Sequence, residues 1–286
     1  MLFHKRSVRL STAGLAVLMP VASIGLGAKQ ASAGTGNWWE VTHNIKGNLG
    51  NNGALTQADH FINHLNFLKP IVGGAQEVCS SQFERMKNAL NAEYTAYFFV
   101  AKETTSNCKL SSSNKTDFGN AIFVRKDIAQ SYNASGAYQA AGYFIPNYSK
   151  VYLNQYNGVE HKRMDCVLVA PDNVPKFSAC TTHTTAEGGN PDPTWIQMME
   201  VKMHLNADDY PNLLMGDLNT VQYVVQNLGG WRWDTLHTNE KTHAAGKIDW
   251  VLGESNAGWN RPLNSQRLGK GASDHELLLA YLEKTP

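Results

Sequence analysis

The sequence has no marked excess of charge of either sign and no long apolar run. It contains 25 lysines and arginines against 24 aspartates and glutamates in 286 residues. The apolar stretch from Leu15 to Leu26 is interrupted by Pro20 and is too short for a stable membrane span. Low-complexity tracts and internal repeats are also missing. A uniform basic coat for gripping nucleic acid is therefore absent, and any recognition of phosphate must be local.

The first 33 residues have the pattern of an export signal. A basic start precedes the apolar stretch, and Ala31-Ser32-Ala33 forms a small-x-small cleavage site. We expect cleavage after Ala33 and a secreted mature protein. Removal of the segment's four cations leaves 21 basic against 24 acidic residues, so the mature chain is mildly acidic. The four cations are Lys5, Arg6, Arg9 and Lys29.

Residues 34–286 show no break in composition and no long linker. This length suits one large domain or two small ones, and the uniform composition favours a single domain. We expect that domain to be a monomer, with no stable protein partner.

The sequence has few cysteines, and an exported chain favours their pairing as two disulfides. The number of cysteines is four, which leaves three connectivities open. The segments 164–170 and 176–182 flank a proline-rich turn and predict an antiparallel hairpin. Folding about Asn173 sets Cys166 opposite Cys180, within disulfide reach. Cys79 with Cys108 then follows by elimination.

Apolar periodicity predicts a mixture of helices and strands. The spacing of apolar residues from Leu55 to Leu68 is helical, and the helix ends before Pro70. Strict alternation of strand and helix is not sustained, which favours two mixed β-sheets with helices outside them, an α+β arrangement. We predict further helices at 82–90 and 193–205, and strands at 38–45, 71–78, 94–100, 120–125, 164–170, 176–182, 247–252, around Leu213 and after His275.

Polar motifs recur where these predicted strands end. Gly216-Asp217-Leu218-Asn219 follows an apolar run, and Ser273-Asp274-His275 precedes another. Polar groups at strand ends converge on one rim of a sheet sandwich, where ligand sites are commonly built. Carboxylates, amides and imidazoles at such a rim suit a hydrolytic site for a hard cation. The other members of the set are Asn44, Glu77, His183 and Asp249.

This ordered set resembles the endonuclease/exonuclease/phosphatase superfamily, whose members include deoxyribonuclease I. The resemblance spans Asn44 to His275, with six short motifs in the family's order. It implies a four-layer sandwich of two mixed β-sheets flanked by helices, with the active site at the strand ends. It also implies a metal-dependent phosphoric diester hydrolase using Mg²⁺, or Ca²⁺ or Mn²⁺ in its place.

The resemblance also implies roles for individual residues. Glu77 is the principal metal-binding carboxylate, with Asn44 supporting it and Asp274 completing the metal site. Asp217 and Asn219 orient the attacking water and the phosphate. His275 is the general base or phosphate-binding imidazole, oriented by Asp249, and His183 is a second imidazole. Which imidazole is base and which is acid stays open at this point.

Three further residues are candidates for contact with substrate phosphate. Arg163 matches an arginine of the family that contacts phosphate, and Asn120 is a candidate support for His183. Lys46 replaces an acidic residue found in abasic-site endonucleases. A cation there weakens a second metal position and suits phosphate instead, so we expect one tightly held divalent ion.

The segment from Ser131 to Gly158 is rich in tyrosine and bears on the substrate. Its aromatic side chains could stack on nucleobases, form a surface for lipid, or pack the segment itself. Tyrosine and asparagine with little leucine or tryptophan favour nucleic acid. We therefore predict a secreted nuclease acting on DNA, with RNA as a further substrate. A sphingomyelinase with a lipid head group as substrate is the first alternative, and a non-catalytic, toxin-associated binding module is the second.

Overall fold

The computed structural model describes residues 37–48, 51–109, 115–127, 129–132, 160–171, 175–186, 193–206, 210–220, 225, 231–233, 240–254 and 264–283. Twelve strands and three helices lie within these ranges. The elements are β1 (Asn37–Asn44), α1 (Thr56–Leu68), β2 (Val72–Cys79), α2 (Ser80–Leu90), β3 (Tyr94–Lys102), β4 (Phe118–Arg125), β5 (Ala129–Tyr132), β6 (Met164–Pro171), β7 (Phe177–His183), α3 (Pro193–Asn206), β8 (Asn212–Asp217), β9 (Trp231–Trp233), β10 (Asp249–Glu254), β11 (Asn264–Arg267) and β12 (Leu278–Glu283).

The strands form two six-stranded mixed sheets. The first sheet has the order β11-β12-β1-β2-β4-β3, and the second has the order β5-β6-β7-β8-β10-β9. Each sheet has one parallel pair near its centre, β1 with β2 and β7 with β8, and the remaining pairs are antiparallel. The predicted class, two mixed sheets with helices, is confirmed.

Three buried apolar clusters define the layers of the sandwich. The cluster between the sheets joins Trp38, Val72 and Ile122 of the first sheet to Val167 and Leu213 of the second. A second cluster packs α1 and α2 on the outer face of the first sheet. A third packs α3 on the outer face of the second sheet. Because each sheet buries both faces, side chains at the strand ends are the ones left to line a site.

The prediction of α1 follows from its sequence pattern. Its buried residues include Ala58, Phe61, Ile62 and Leu65, which recur at the spacing of one helical face. The helix ends at Lys69, which takes the left-handed conformation with φ 47° and donates its N–H to Leu65 O.

Both predicted disulfides are present. Cys166 lies opposite Cys180 in the β6–β7 hairpin and is bonded to it. Cys79 at the end of β2 is bonded to Cys108. The Cys79–Cys108 disulfide connects the loop after β3 to the end of β2, two residues after Glu77.

Several predictions fall partly or wholly outside the described residues. The export signal and its cleavage position lie there, as does the tyrosine-rich segment beyond Tyr132. Strands β5, β9 and β11 were not predicted. Within the part of the chain that is described, no helix has the length and apolar character needed to cross a membrane.

Candidate active site

The predicted polar residues meet at one rim of the sandwich because of the strand directions. The parallel pairs place the carboxyl ends of β1 and β7 beside those of β2 and β8, so that His183 is aligned with Asp217. Strands β10 and β12 run antiparallel to these and begin at the same rim. Asp249 is therefore aligned with Asp217, and His275 lies three residues before β12.

Glu77 enters the site through an irregularity in β2. The pairing of β2 with β4 shifts between Ala75 and Val78, which marks a β-bulge. Glu77 itself has φ 57°, a left-handed conformation that is unusual for a residue other than glycine. Its carbonyl accepts a hydrogen bond of 2.9 Å from Gly47 N–H. Simple alternation along a strand does not predict this geometry.

Asn44 links the carboxylates of the two sheets. Its side-chain Nδ2 donates to Glu77 Oε1 at 3.0 Å and to Asp217 Oδ2 at 2.9 Å. Its Oδ1 accepts from Lys46 N–H at 2.9 Å. The amide oxygen therefore faces away from the carboxylates. In this arrangement Asn44 positions Glu77 and Asp217, and its place in a metal site stays a prediction.

Asp217 is the central carboxylate of the rim. Its Oδ1 accepts from Asn219 N–H at 3.0 Å, and Asn219 Nδ2 donates to Thr184 O at 2.9 Å. Burial, followed by the charge of Asp249, raises the pKa of Asp217 to about 7. Gly216 is required at the preceding position, because a Cβ there would lie 2.1 Å from Thr182 O and φ is 146°.

Asp249 and His275 form a buried carboxylate-imidazole pair, as their motifs predict. Asp249 Oδ2 and Oδ1 lie 3.0 and 3.2 Å from His275 Nδ1. Burial lowers the pKa of His275, but the hydrogen bond and charge of Asp249, with the charges of Asp217 and Asp274, outweigh it and raise that pKa to about 9. His275 Nε2 lies 3.7 Å from Asp217 Oδ2. The backbone carbonyl of His275 also contacts the buried His43, whose Nε2 lies 3.1 Å away.

His183, like His275, lies beside Asp217. Its Nε2 is 3.7 Å from Glu77 Oε1 and 3.6 Å from Asp217 Oδ2. Its Nδ1 lies 3.3 Å from Lys162 Nζ, an approach that the sequence did not predict. Burial, then the charges of Lys162 and His275, hold the pKa of His183 well below its usual range.

Arg163 and Asn120 belong to a buried ion pair behind the rim. Arg163 donates to Asp165 Oδ1 through Nε at 2.7 Å and to Val100 O through Nη1 at 2.6 Å. Asn120 Nδ2 lies 3.5 Å from Arg163 O and 3.4 Å from Asp165 Oδ2. Asn120 therefore supports Asp165 in this structure, and its predicted support of His183 stays a prediction. The predicted phosphate contacts of Arg163 and Asn120 stay predictions.

Lys46 and His243 surround Asp274. Lys46 Nζ lies 2.5 Å from Asp274 Oδ2, and His243 Nε2 lies 3.4 Å from the same oxygen. The His243 ring stacks on His275 with centroids 4.5 Å apart. Its Nδ1 accepts Ala245 N–H at 3.1 Å, so a neutral His243 carries its proton on Nε2, toward Asp274. His243 has no motif signal in the sequence and was missed.

The ammonium group of Lys46 is a charged partner of Asp274. Burial raises the pKa of Asp274, but the hydrogen bond from Lys46 and the charge of His275 lower it below its ordinary value. Asp274 Oδ1 is buried without a hydrogen-bond partner among the described residues. The weakening of a second metal position stays a prediction.

The donor set at the rim fits one hard divalent cation. Burial raises the pKa of Glu77, and the hydrogen bond from Asn44 and the charge of Lys162 lower it by less. The neighbouring groups therefore do not fully offset the cost of burying this carboxylate. Glu77 and Asp217 offer carboxylate oxygens, the ligands that Mg²⁺, Ca²⁺ and Mn²⁺ prefer. Two groups that include His275 also bring three ligand atoms within 4.8 Å, one with Asp217 and Asp249 and one with His243 and Asp274.

Comparisons with known proteins agree with this fold and identify the family. A profile of the Endonuclease/Exonuclease/phosphatase family matches residues 41–275, most of the chain. No curated protein matches the sequence significantly. Among solved structures, a humanized D. rerio TDP2 carrying 14 mutations has a TM-score of 0.64 at 15% identity, covering 87% of this chain and 100% of that one.

Two further structures show the same fold. The human Nocturnin catalytic domain with bound sulfate has a TM-score of 0.60 at 14% identity, covering 87% of this chain and 94% of that one. D. rerio TDP2 complexed with a single-stranded DNA product has a TM-score of 0.59 at 15% identity, covering 87% and 99%. With the family profile spanning the first strand to His275, the chain belongs to the endonuclease/exonuclease/phosphatase family, whose members hydrolyse phosphate esters and phosphodiesters.

Proposed function

We propose that the chain is a divalent-metal-dependent phosphodiesterase, a nuclease that hydrolyses DNA and, as a further substrate, RNA. The observation that carries the proposal is the convergence of Glu77 and Asp217, joined by Asn44, with the Asp249–His275 pair at one rim. Such a rim combines anionic ligands for a cation with an oriented imidazole for proton transfer.

The residues of the rim divide the work of in-line hydrolysis. Asp249 holds the ring of His275 through Nδ1, which leaves Nε2 facing the centre beside Asp217. The carboxylate of Asp217 and, in its neutral form, the imidazole of His275 are the groups placed to orient a water and take its proton. His183 Nε2 lies 3.6 Å from Asp217 Oδ2, where it can contact an oxygen of the phosphate.

Glu77 and Asp217 are the residues that would hold the cation, with Asn44 fixing both carboxylates. When bound, a divalent cation neutralises charge on the phosphate oxygens and lowers the pKa of a coordinated water. Asp274 is paired with Lys46 in the structure, so we assign it a supporting role in that site. The loss of one carboxylate to a lysine favours a single ion over two.

The substrate assignment rests on the local charge of the rim. Lys46 and Lys162 present ammonium groups beside the carboxylates, although the mature chain is mildly acidic overall. A local cationic contact suits a phosphodiester backbone. The D. rerio TDP2 structure was solved with a single-stranded DNA product, and this supports DNA as the first substrate to test. We propose that the protein is exported, since the first 33 residues have the pattern of a signal.

The test is hydrolysis by the purified protein of plasmid DNA, RNA and sphingomyelin, each with Mg²⁺, Ca²⁺ or Mn²⁺. We expect cleavage of DNA, its loss in EDTA and its loss in His275→Ala. Asp59→Ala is a matched control, because Asp59 pairs with Arg85 on the exposed side of α1. Cleavage that survives EDTA, or full activity in His275→Ala, would contradict the mechanism. Cleavage of sphingomyelin alone would favour the lipid alternative. A secreted product that begins at Gly34 would support export.

A further inference from the structure

His183 has an unusual hydrogen-bond partner for an imidazole beside carboxylates. Lys162 Nζ lies 3.3 Å from His183 Nδ1, and Glu160 Oε1 holds the same ammonium at 2.8 Å. The side chains of Lys162 and His183 are only 15% and 11% exposed, so water competes little for this contact. An ammonium group has three donors and no acceptor. His183 Nδ1 must therefore be the acceptor.

The partner of Nδ1 fixes the proton of His183. A neutral imidazole carries one N–H, and with Nδ1 accepting, that N–H is on Nε2. His183 Nε2 faces Glu77 Oε1 and Asp217 Oδ2, both of which can only accept when ionised. The contacts on the two sides of the ring thus favour the same tautomer. His183 is a hydrogen-bond donor aimed at the centre of the site.

A donor at Nε2 is incompatible with metal ligation. A histidine that binds a metal uses the lone pair of one nitrogen and donates the other N–H to a carboxylate, a carbonyl or water. If His183 bound a cation through Nε2, its remaining N–H would point from Nδ1 at the ammonium of Lys162, which cannot accept it. Ligation would therefore require Lys162 to move away.

We propose that Lys162 keeps His183 from ligating a cation held by Glu77 and Asp217, and so lowers the affinity of that centre for Zn²⁺ relative to hard cations. Imidazole nitrogen strengthens the binding of Zn²⁺, whereas Mg²⁺ and Ca²⁺ bind oxygen. Lys162 is thus a positioning residue that determines metal specificity. The proposal rests on the metal dependence in the proposed function.

In His275, the nitrogen that faces away from the centre of the site has a different partner from the corresponding nitrogen of His183. Its Nδ1 faces the carboxylate of Asp249, which accepts an N–H, so the neutral ring presents a lone pair at Nε2. His275 and His183 are both buried imidazoles at the same rim. The difference in their roles comes from an acceptor behind one ring and a donor behind the other.

The experiment measures metal binding without substrate. The binding of Zn²⁺ and of Mg²⁺ to the metal-free protein is compared for wild type, Lys162→Met and Lys162→Arg, by competition with a chromophoric chelator and by calorimetry. Lys162→Met removes the donor and keeps the length of the chain. We expect the ratio of Zn²⁺ to Mg²⁺ affinity to rise by about tenfold or more in Lys162→Met. Lys162→Arg, which still only donates, should leave the ratio near that of wild type.

Two controls isolate the imidazole. Removal of a positive charge strengthens the binding of both cations, and the ratio cancels that effect. Adding His183→Gln to Lys162→Met should abolish the gain for Zn²⁺. In proteins with ¹⁵N-labelled histidine, NMR should show the proton of His183 on Nε2 in wild type and on Nδ1 in Zn²⁺-loaded Lys162→Met. The signal is assigned by its loss in His183→Gln.

An unchanged affinity ratio in Lys162→Met would overturn the proposal, as would an equal gain in the double variant or a wild-type proton on Nδ1. These readouts need no catalysis, so they are distinguishable from a failure of the proposed function. A protein that hydrolyses no phosphodiester can still show the predicted tautomer and metal preference. A protein that hydrolyses DNA but lacks them would refute only the role of Lys162.

Discussion

Replacing Asp249 with asparagine is expected to disable His275 without disturbing the strand that carries residue 249. Asp249 is fully buried at the start of β10, and both of its carboxylate oxygens lie within 3.2 Å of His275 Nδ1. Asparagine has nearly the same volume but no charge. The backbone pairing with Asp217 does not involve the side chain. The substitution therefore removes one charge from the centre and little packing.

The size of the effect follows from the pKa of His275. The rise from 6.5 to about 9 corresponds to roughly 3 kcal/mol in favour of the imidazolium. Burial opposes this rise, and the hydrogen bond and charge of Asp249 are its two largest sources. Without them, burial remains, and the pKa of His275 should fall toward or below 6.5. The pKa of Asp217 should also fall from about 7, because the charge of Asp249 contributes to raising it.

Two measurements check this prediction. NMR titration of the His275 ring in metal-free protein should show its midpoint move to lower pH, so that the ring is neutral at pH 7.5 in the variant and protonated in wild type. The kcat for hydrolysis of DNA should fall by about 10²- to 10⁴-fold, the range for loss of an oriented acid-base group. Thermal unfolding and Asp59→Asn serve as controls for the fold and for a lost surface carboxylate. An unchanged His275 midpoint, or activity within about threefold of wild type, would refute the reasoning.

Three further predictions concern stability. Glu40→Gln should gain stability relative to wild type as pH rises above 4.5, by up to about 1.4 kcal/mol per pH unit. The reason is that burial raises the pKa of Glu40, so the folded wild type keeps a proton that the unfolded chain releases. Urea unfolding curves whose difference is the same at pH 5, 7 and 9 would contradict this. Joint replacement of Cys166 and Cys180 by alanine should lower the unfolding free energy by about 3 kcal/mol, since the disulfide closes a loop with a separation of 14 residues. Urea unfolding without reductant measures this loss of stability, and a loss below about 0.5 kcal/mol would count against the prediction. Gly216→Ala should prevent native folding or lower the melting temperature sharply, because the Cβ of the alanine would meet the backbone of Thr182. A thermal melt like that of wild type, followed by circular dichroism, would contradict this prediction.

Local pattern was sufficient to predict much of the fold. The helix α1 follows from apolar residues on one face, and the Cys166–Cys180 hairpin follows from two strands about a proline-rich turn. The site residues carried by motifs were also predictable in position. Each of Asn44, His183 and Asp217 ends a strand, so the direction of the strands brings them to one rim.

The features that could not be predicted depend on partners distant in sequence. Lys162 was not among the predicted site residues, yet its ammonium group lies against Glu160 Oε1 and His183 Nδ1. Its position two residues before β6 and two residues after a glutamate gave no sign of these contacts. Glu77 was expected at the end of a regular strand, whereas a bulge and a positive φ turn it into the site. A backbone distortion of this kind has no signature in apolar periodicity.

The rim contains three imidazoles, and the group behind each ring decides what its inner nitrogen can do. A carboxylate lies behind His275, an ammonium behind His183 and a backbone N–H behind His243. The last two can only donate, so the neutral forms of His183 and His243 must direct N–H groups inward. His275 alone has an acceptor behind it, so its neutral form alone can direct a lone pair inward, whereas the imidazolium that its raised pKa favours donates from both nitrogens. If one imidazole of the rim removes a proton from water, it is therefore His275, and His183 contributes as a donor to oxygen. Sequence motifs could not make this distinction, because all three residues are the same amino acid and their partners come from other parts of the chain.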